Sequence, residues 1–408
     1  MKIVQINQSD LQGRRFNGYD LQLELNARGI PTKQFVLRKT SNNPNVIEIP
    51  GDGIRTAINN YVNMFEYNNS IRSLLSPFGW AVMKHPEFIK SSLVHAHLIY
   101  NSLFSFACYP TLSQLKPTVM TIHDPYVWTG RCIYPFECEK WKEGCHNCSS
   151  LGGLYPLQED NSHYLWQLKK TAFSQCELDL VVATDWMMQF AINSPITSHL
   201  KNVHLIPFGI NTDVFHARRD KQGARRKLGI RLNSFVILFR DSYFPLKGLD
   251  LINSMLKTLK VDTHITLLTV GEKGSVKKNS YKLVERGWIY DEEEMADVYA
   301  AADLFLMPSR GEAFGLMAIE AMASGIPVVI MEGTALTSVT NAPACGVLCR
   351  DQNEFNASVK RLINSPEERQ TRGELGRKLA ETNYRVEDHF RRIFELYEDV
   401  LKRRKRRE

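Results

Sequence analysis

The chain has 408 residues, of which 43% are hydrophobic and 23% are charged, and its formal net charge is +7. This length exceeds what one hydrophobic core commonly supports, so two domains are expected, and the composition excludes a disordered or fibrous protein. Residues 1–7 are typical of a strand rather than a secretory signal. The most apolar window, 93–112, favours a strand followed by a helix over a membrane span. A cytosolic protein is therefore expected.

Short apolar runs alternate with helical stretches along the whole chain. This alternation is typical of parallel sheets wrapped by helices, and its repetition predicts two Rossmann-like units that join near residues 206–215. The segment 9–15 that follows the first run contains only Gly13 and no Gly-x-Gly-x-x-Gly motif, which argues against a nicotinamide-binding protein. The predicted strands are 2–7, 34–37, 93–97, 119–123 and 178–184 in the first half, and 235–240, 265–271, 304–307 and 328–331 in the second.

Four of the eight cysteines fall close together in the first half of the chain. In a cytosolic chain such a group favours metal binding over disulfides. The intervening segments of five, six and two residues are irregular for a zinc site, so structural zinc and free or packing thiols both remain open. The four residues are Cys132, Cys138, Cys145 and Cys148.

Two cations lie at the end of a predicted strand in the second half. Arg240 ends the run 235–240, and Lys247 stands immediately before Gly248, where the next helix is expected to begin. Open parallel sheets bind ligands at the carboxyl ends of their strands, so both side chains can reach such a ligand. Together they suit an anionic ligand such as a phosphate group. The alternative for either cation is a solvated surface position.

Two carboxylates, Glu312 and Glu320, flank a predicted short helix. Gly325 suits the left-handed residue that ends a helix, and Pro327 prevents its continuation. Glu320 lies among apolar residues, where a carboxylate is costly to bury without a hydrogen bond, so pairing with an Arg or capping of a backbone is the alternative role. The free amides of a helix N-terminus suit an anion and carboxylates suit hydroxyls, which indicates a phosphorylated sugar as ligand.

Several stretches, in this order along the chain, closely resemble family 4 retaining glycosyltransferases. The resemblance covers most of the chain and implies the GT-B fold, an α/β architecture of two facing Rossmann-like domains with a reaction cleft between them. It implies an acceptor-binding domain at 1–205, a nucleotide-sugar-binding domain at 206–382, and a C-terminal crossover helix with a basic tail at 383–408. The matching stretches are residues 121–124, 206–215, 247–250, 302–309, 311–316 and 320–329.

The resemblance also implies roles for individual residues. Glu312 would bind hydroxyls of the transferred sugar, Glu320 the ribose, and His123 the donor sugar from the opposite domain. The remaining donor-binding residues would be Arg240, Lys247, Ala313, Phe314, Gly315 and Leu316, and the acceptor side would include Gly13 and Asp124. His123, Glu312, Arg240 and Lys247 would form the catalytic group. One departure concerns Phe239, which stands where the family usually has the Gly that precedes this Arg.

The implied activity is a retaining, hexosyltransferase-type reaction that uses a UDP- or GDP-sugar. No nucleophile stands out, which agrees with front-face retention. No Asp-x-Asp motif is placed to hold a metal–diphosphate complex, so we expect catalysis to require no cofactor. The expected acceptor is a growing, lipid-linked glycan of bacterial surface polysaccharide or lipopolysaccharide. A sugar-nucleotide epimerase, a phosphorylase and a non-catalytic nucleotide-sugar sensor remain alternatives.

Six consecutive cations, 402–407, stand immediately before Glu408. A cluster of this kind next to a helix can bind an anionic membrane surface, which would place the protein peripherally on the cytoplasmic face of the inner membrane. The alternative is a disordered, solubilising tail. Nucleic acid is not expected as a partner, because nothing else in the chain forms a recognition motif.

Overall fold

The computed structural model describes residues 1–49, 53–97, 103–149, 151–152, 156–277 and 280–406. The chain divides into two compact units. The first comprises Met1–Ile206 together with Phe390–Glu408, and the second comprises Pro207–His389. None of the helices in these described ranges is both long and apolar enough to cross a membrane.

The first unit is built on a parallel sheet of seven strands in the order β3-β2-β1-β4-β5-β6-β7. The strand order reverses between β1 and β4, because the chain first adds strands on one side of β1 and then on the other. Ligand crevices of open parallel sheets lie outside the carboxyl ends of the strands at such a reversal. The strands are β1 (Ile3–Ser9), β2 (Thr32–Arg38), β3 (Val46–Glu48), β4 (Leu93–His97), β5 (Thr118–Thr121), β6 (Leu178–Val182) and β7 (Val203–Leu205).

Seven helices among the described residues of the first unit connect these strands. Between β5 and β6 the chain also makes two short 3-10 turns, Pro125–Val127 and Lys140–Lys142, in the segment that carries the clustered cysteines. The helices are α1 (Tyr19–Ala27), α2 (Gly53–Asn68), α3 (Phe78–Lys84), α4 (Pro86–Ile89), α5 (Cys108–Leu115), α6 (Ser162–Ser174) and α7 (Asp185–Asn193).

The second unit contains a parallel sheet of six strands in the order β10-β9-β8-β11-β12-β13. Counted from β8, this is the order 3-2-1-4-5-6 of the dinucleotide-binding fold, with the reversal between β8 and β11. Its strands are β8 (Phe235–Asp241), β9 (Ile265–Gly271), β10 (Lys282–Glu285), β11 (Leu304–Met307), β12 (Val328–Met331) and β13 (Val347–Cys349).

The helices of the second unit include the short apolar helix that the carboxylates flank. Gly325 follows its C-cap with φ of 75°, so the predicted left-handed end is confirmed, and β12 begins directly after Pro327. The helices are α8 (Lys221–Lys227), α9 (Leu249–Thr258), α10 (Glu292–Ala301), α11 (Leu316–Ala323), α12 (Leu336–Val339), α13 (Gln352–Asn364) and α14 (Pro366–Asn383).

The last helix, α15 (Val386–Lys405), packs against the sheet of the first unit. Its buried residues Ile393, Leu396, Tyr397 and Val400 follow the i, i+3, i+4, i+7 spacing of one helix face. They form a core cluster with side chains of the strands, among them Ile3, Leu93, Val119 and Val181. The C-terminal helix implied by the resemblance is therefore present and returns to the N-terminal unit.

The basic tail is part of α15 rather than a disordered extension. Arg403 donates to Asp179 Oδ1 at 2.6 Å, and Arg404 lies 3.8 Å from Glu177. These contacts hold the end of the helix on the first unit. A disordered tail, the alternative interpretation from sequence, is therefore wrong through Lys405. Arg407, the last residue of the predicted basic cluster, lies outside the described residues.

All nine predicted strands are present. The strand predicted at 178–184 ends at Val182, and a second correction concerns the strand predicted at 119–123. That strand ends at Thr121, so His123 stands two residues beyond it in the loop. The prediction missed β3, β7, β10 and β13, which have three or four residues each and lie at the edges of the two sheets. Central strands of parallel sheets are buried on both faces and give continuous apolar runs, whereas edge strands are shorter and more exposed.

Candidate functional site

Arg240 lies at the carboxyl end of β8, next to the reversal of strand order in the second unit. Its guanidinium carbon is 5.1 Å from the centroid of the Trp288 ring, and the Trp288 side chain is exposed. The Arg240 Nε atom is buried and has no hydrogen-bond acceptor among the described residues. Arg240 is thus half-buried against an aromatic face, with an N–H group that protein atoms leave available, which is not the environment of a solvated surface cation.

Lys247 follows β8 in a short 3-10 turn, Pro245–Lys247, and contacts the loop after β11. The contact depends on Gly248, whose φ is 71° and where a Cβ atom would overlap the Pro308 carbonyl oxygen. The two loops therefore approach backbone to backbone. Across them, Lys247 Nζ donates to Glu312 Oε1 at 2.5 Å, and these side chains are only 16% and 12% exposed. The structure therefore joins Lys247, predicted to bind phosphate, and Glu312, predicted to bind the sugar, as an ion pair.

The same two loops are joined by a pair that the sequence analysis missed. Arg310 donates through both terminal guanidinium nitrogens to Asp250, each at 2.7 Å, and its backbone N–H donates to Leu246 O at 2.8 Å. The hydrogen bonds from Arg310 lower the pKa of Asp250. Asp250 ends the motif 247–250, so its place three residues after Lys247 was a signal that could have marked it.

The segment 313–316 can contact a ligand through its backbone rather than through its side chains. Phe314 is buried, with its ring edge-on to Phe208 at 5.2 Å and to Tyr384 at 5.6 Å. Gly315 caps α11 with φ of 96°, where a Cβ atom would overlap Leu336. The amides that open a helix lack acceptors within it, so residues at the start of α11, beginning with Leu316, can donate to an anion.

Glu320 lies inside the second unit, with only 1% of its surface exposed. The Tyr299 hydroxyl of α10 donates to Glu320 Oε2 at 2.9 Å. A hydrogen bond that a buried carboxylate needs therefore comes from a tyrosine. An Arg partner or a backbone cap stays untested as the alternative role. Sequence reasoning missed Tyr299, because a position 21 residues away gives no local signal.

His123 follows β5 in the first unit and packs between two aromatic rings. Its ring centroid is 5.2 Å from Phe16 and 5.5 Å from His97, and the His97 ring is stacked on it. The Nδ1 atom is buried, and burial lowers the pKa of His123 to about 3. The imidazole is therefore neutral at physiological pH and can act through hydrogen bonds but not as a cation.

The two residues predicted on the acceptor side both shape the surroundings of His123. Gly13 has φ of 72°, and a Cβ atom there would overlap the Phe16 ring, which packs on His123. Asp124 is buried and accepts from the Tyr126 N–H at 3.0 Å, which caps the 3-10 turn that follows. These contacts are structural, and contact with an acceptor remains a prediction for both residues.

A buried cation holds the loop after Asp124, and the sequence analysis missed it. Lys169 of α6 is fully buried and donates to Tyr126 O at 2.6 Å and Thr129 O at 2.8 Å. Its ammonium group also lies 3.6 Å from the centroid of the Tyr126 ring. Burial lowers the pKa of Lys169 to about 7. A lysine inside an amphipathic helix pattern gives no sequence signal of this role.

The four clustered cysteines are all free thiols. Cys145 Sγ accepts from the Gly130 N–H at 3.1 Å, and burial raises its pKa to about 12. Within the described part of the chain, no group of three or more His, Cys, Asp or Glu side chains is arranged to hold a metal ion. Structural zinc at Cys132, Cys138, Cys145 and Cys148 thus stays a prediction, which elemental analysis of the purified protein would test.

Most of the second unit is covered by a stretch that matches a known family. Residues 220–379 match the family model described as Glycosyl transferases group 1. The second unit carries a group 1 glycosyl transferase domain. Arg240, Lys247, Glu312 and Glu320 all lie inside this group 1 domain, and the resemblance inferred from the motifs is confirmed for this part of the chain.

A curated relative and two solved structures extend the comparison beyond the group 1 domain. The D-inositol 3-phosphate glycosyltransferase of Segniliparus rotundus is 29% identical over 215 residues, or 49% of this chain and 48% of that protein. The chain thus matches about half the length of this relative.

The structure of WaaG, a glycosyltransferase involved in lipopolysaccharide biosynthesis, is 18% identical with a TM-score of 0.63, covering 93% of this chain and 95% of WaaG. HepE of Anabaena, in complex with UDP-glucose, is 14% identical with a TM-score of 0.66, covering 98% of this chain and all of that one. At these identities the likeness shows the fold, and the predicted α/β GT-B fold is confirmed.

Proposed function

We propose that the chain is a retaining glycosyltransferase that moves a sugar from a UDP- or GDP-linked donor to a growing glycan. The observation that carries this proposal is the pairing of Lys247 with Glu312 inside the group 1 domain, at the reversal of strand order between β8 and β11. A diphosphate linked to a sugar presents anionic oxygens to the lysine and hydroxyls to the carboxylate. Such a ligand satisfies both members of the pair.

The proposed reaction breaks the bond between the anomeric carbon and the diphosphate oxygen. It forms a bond from that carbon to an acceptor hydroxyl oxygen, and the hydroxyl proton passes to the leaving diphosphate. Lys247 and Arg240 offset the charge that develops on the leaving phosphate. Lys247 acts as a compact charge, and the planar Arg240 guanidinium can donate two hydrogen bonds to phosphate oxygens. Glu312 accepts hydrogen bonds from the transferred sugar, and Glu320 serves the ribose. The neutral His123 imidazole hydrogen-bonds the sugar, and the leaving phosphate helps to deprotonate the acceptor. Since the sequence contains no Asp-x-Asp motif that could hold a metal–diphosphate complex, the proposed reaction includes no divalent ion.

The proposed acceptor is a lipid-linked glycan of bacterial surface polysaccharide synthesis, at the cytoplasmic face of an anionic membrane. Two features of the first unit support membrane docking. The exposed cations Lys402 and Lys405 lie in the last turn of α15, and the exposed Arg406 follows it directly. Helix α2 exposes large apolar side chains, of which Tyr61 is 64% and Met64 is 55% exposed, and amphipathic aromatic residues favour the membrane interface. The likeness to WaaG, which acts in lipopolysaccharide biosynthesis, is consistent with this choice.

Slow hydrolysis of donors tests the proposal without a known acceptor. The full chain is incubated with a panel of UDP- and GDP-sugars, and the release of nucleoside diphosphate and the anomer of the freed sugar are followed by NMR. We expect one donor to be hydrolysed with retained configuration. Conversion of the donor into an isomeric nucleotide-sugar would instead identify an epimerase, and turnover that depends on inorganic phosphate would identify a phosphorylase. Binding of a donor without any turnover would identify a sensor.

A further inference from the structure

Three histidine rings form a row at the carboxyl edge of the first unit's sheet. His95 and His97 are two residues apart on β4, so both side chains point to the same face of the strand. Their ring centroids are 4.1 Å apart, and the His97 ring is stacked in turn on His123 at 5.5 Å with an interplanar angle of 27°. Only His123 was singled out by the sequence motifs, so the other two rings need their own explanation.

The contact between the last two rings is a hydrogen bond as well as a stack. His97 Nδ1 lies 3.3 Å from His123 Nε2. A hydrogen bond between two neutral imidazoles requires an N–H on one ring and a lone pair on the other, so the two tautomers are complementary. If His97 donates, His123 carries its proton on Nδ1, and if His97 accepts, His123 carries it on Nε2. The state of His97 therefore decides which nitrogen of His123 donates and which accepts.

The surroundings of His97 keep its ring in place. A Cβ atom at Gly18, where φ is 87°, would lie 2.6 Å from His97 Nε2, so this glycine lets the chain pass directly over the ring. On the other side, His95 is fixed at both nitrogens, with Nδ1 at 2.6 Å from the Tyr397 hydroxyl and Nε2 at 2.7 Å from Thr121 Oγ1. The row thus begins at a tyrosine of α15 and ends at His123, all within the first unit.

We propose that His97 is a positioning residue that sets the ring orientation and the tautomer of His123 for sugar transfer. This inference rests on the proposed function, because it assigns His123 a hydrogen bond to the reacting sugar. The low pKa of His123 agrees with it, since a neutral ring has two distinct nitrogens whereas a protonated ring has two donors. His97 itself needs no contact with the substrate for this role.

The test compares two variants of His97 that differ by one methylene group. The amide of Asn in His97→Asn occupies the place of Nδ1 and can keep the bond to His123, whereas the longer side chain in His97→Gln places its amide near Nε2 and loses that bond. We expect His97→Gln to lower kcat for donor hydrolysis about tenfold with KM nearly unchanged, and His97→Asn to restore most of it. His199→Gln, at an exposed histidine of the same unit, is the matched control and should behave as the wild type.

A spectroscopic readout separates failure of this inference from failure of the proposed function. Nitrogen-15 shifts of the His123 ring, assigned with His123→Asn in protein labelled at histidine, report its tautomer without any turnover. We expect one tautomer in the wild type and in His97→Asn, and a mixture in His97→Gln. If the His123 shifts and kcat are the same in both variants, the inference is overturned. If no donor is hydrolysed at all, the proposed function fails while the tautomer measurement still decides the role of His97.

Discussion

Lys247 Nζ and Glu312 Oε1 are 2.5 Å apart, and each side chain is largely withdrawn from solvent. One residue follows β8 and the other follows β11, so the pair spans the reversal of strand order at which open parallel sheets bind ligands. An ion pair that is mostly buried loses much of its hydration, and removal of one partner leaves the other charge uncompensated. In this protein the two partners are also the groups that the proposed donor would engage separately.

The two carboxylates of the group 1 domain are expected to differ in their effect on nucleotide binding. Glu320→Ala should weaken binding of the free nucleoside diphosphate about tenfold or more, because the proposed ribose contact is lost. Glu312→Ala should leave that binding intact or tighten it, since Lys247 then has no competing carboxylate, and should lower turnover instead. Titration calorimetry with UDP and GDP measures the difference. Equal losses of affinity in both variants would contradict this division.

Lys169 is expected to make stability depend on pH in a defined direction. Its folded pKa, about 7, lies below its unfolded value near 10.5, so between these values the unfolded chain binds more protons. The free energy of unfolding should therefore rise with pH from 7 towards 10 through this group, and the cost of burying the charge is fully present below pH 7. In Lys169→Met this contribution is absent, so the free energy of unfolding of the wild type should increase relative to that of the variant as pH rises.

Urea unfolding at pH 7 and pH 9 measures that difference. Lys170→Met is the matched control, because Lys170 is the next residue of α6 and is exposed. The control should change stability equally at the two pH values. If the free energy of unfolding of the wild type minus that of Lys169→Met stays constant or falls as pH rises, a buried lysine of lowered pKa is contradicted.

The exposed cations at the end of α15 are expected to contribute to membrane binding. Lys402, Lys405 and Arg406 are exposed, whereas Arg403 and Arg404 hold the helix on Asp179 and Glu177. Replacing the three exposed cations by Glu should therefore weaken binding to vesicles of anionic lipid at least tenfold without loosening the helix, since each cation near such a surface contributes about 1 kcal/mol. Co-sedimentation with these vesicles measures it.

The control for the membrane experiment carries the same change of charge elsewhere. Lys260, Lys360 and Lys378 are exposed residues of the second unit, and their replacement by Glu should affect sedimentation much less. Donor hydrolysis in solution should be unchanged in both triple variants. If both variants sediment as the wild type does, the end of α15 is not the anchor, and the apolar face of α2 is the next feature to change.

The sequence predicts the central strands of each sheet better than the edge strands. Apolar runs such as Leu304–Met307 are buried on both faces and stand out, while the edge strand Lys282–Glu285 is partly exposed and does not. The residues of the candidate site also divide into those that the sequence predicts and those that it does not. Arg240, Lys247 and Glu312 could be found, because residues that follow parallel strands gather at one edge of a sheet.

The partners of those residues could not be found from the sequence. Trp288 on Arg240 and Tyr299 on Glu320 come from other elements, and only the packed fold decides which side chains meet. His97 lies inside a predicted strand, where the pattern alone gives no reason to separate it from a core residue. The local conformation of Gly325, in contrast, was predictable, because it depends on the residue itself and its immediate neighbours.

We propose that cationic side chains of the group 1 domain, rather than a bound divalent ion, stabilise the leaving diphosphate. The most direct test is the rate of hydrolysis of the preferred nucleotide-sugar in excess chelator, measured for the wild type and for Lys247→Ala. We expect an unchanged rate for the wild type and a loss of about a hundredfold for the variant, with circular dichroism showing that both are folded. Loss of wild-type activity in chelator that magnesium or manganese restores, or full activity in Lys247→Ala, would contradict it.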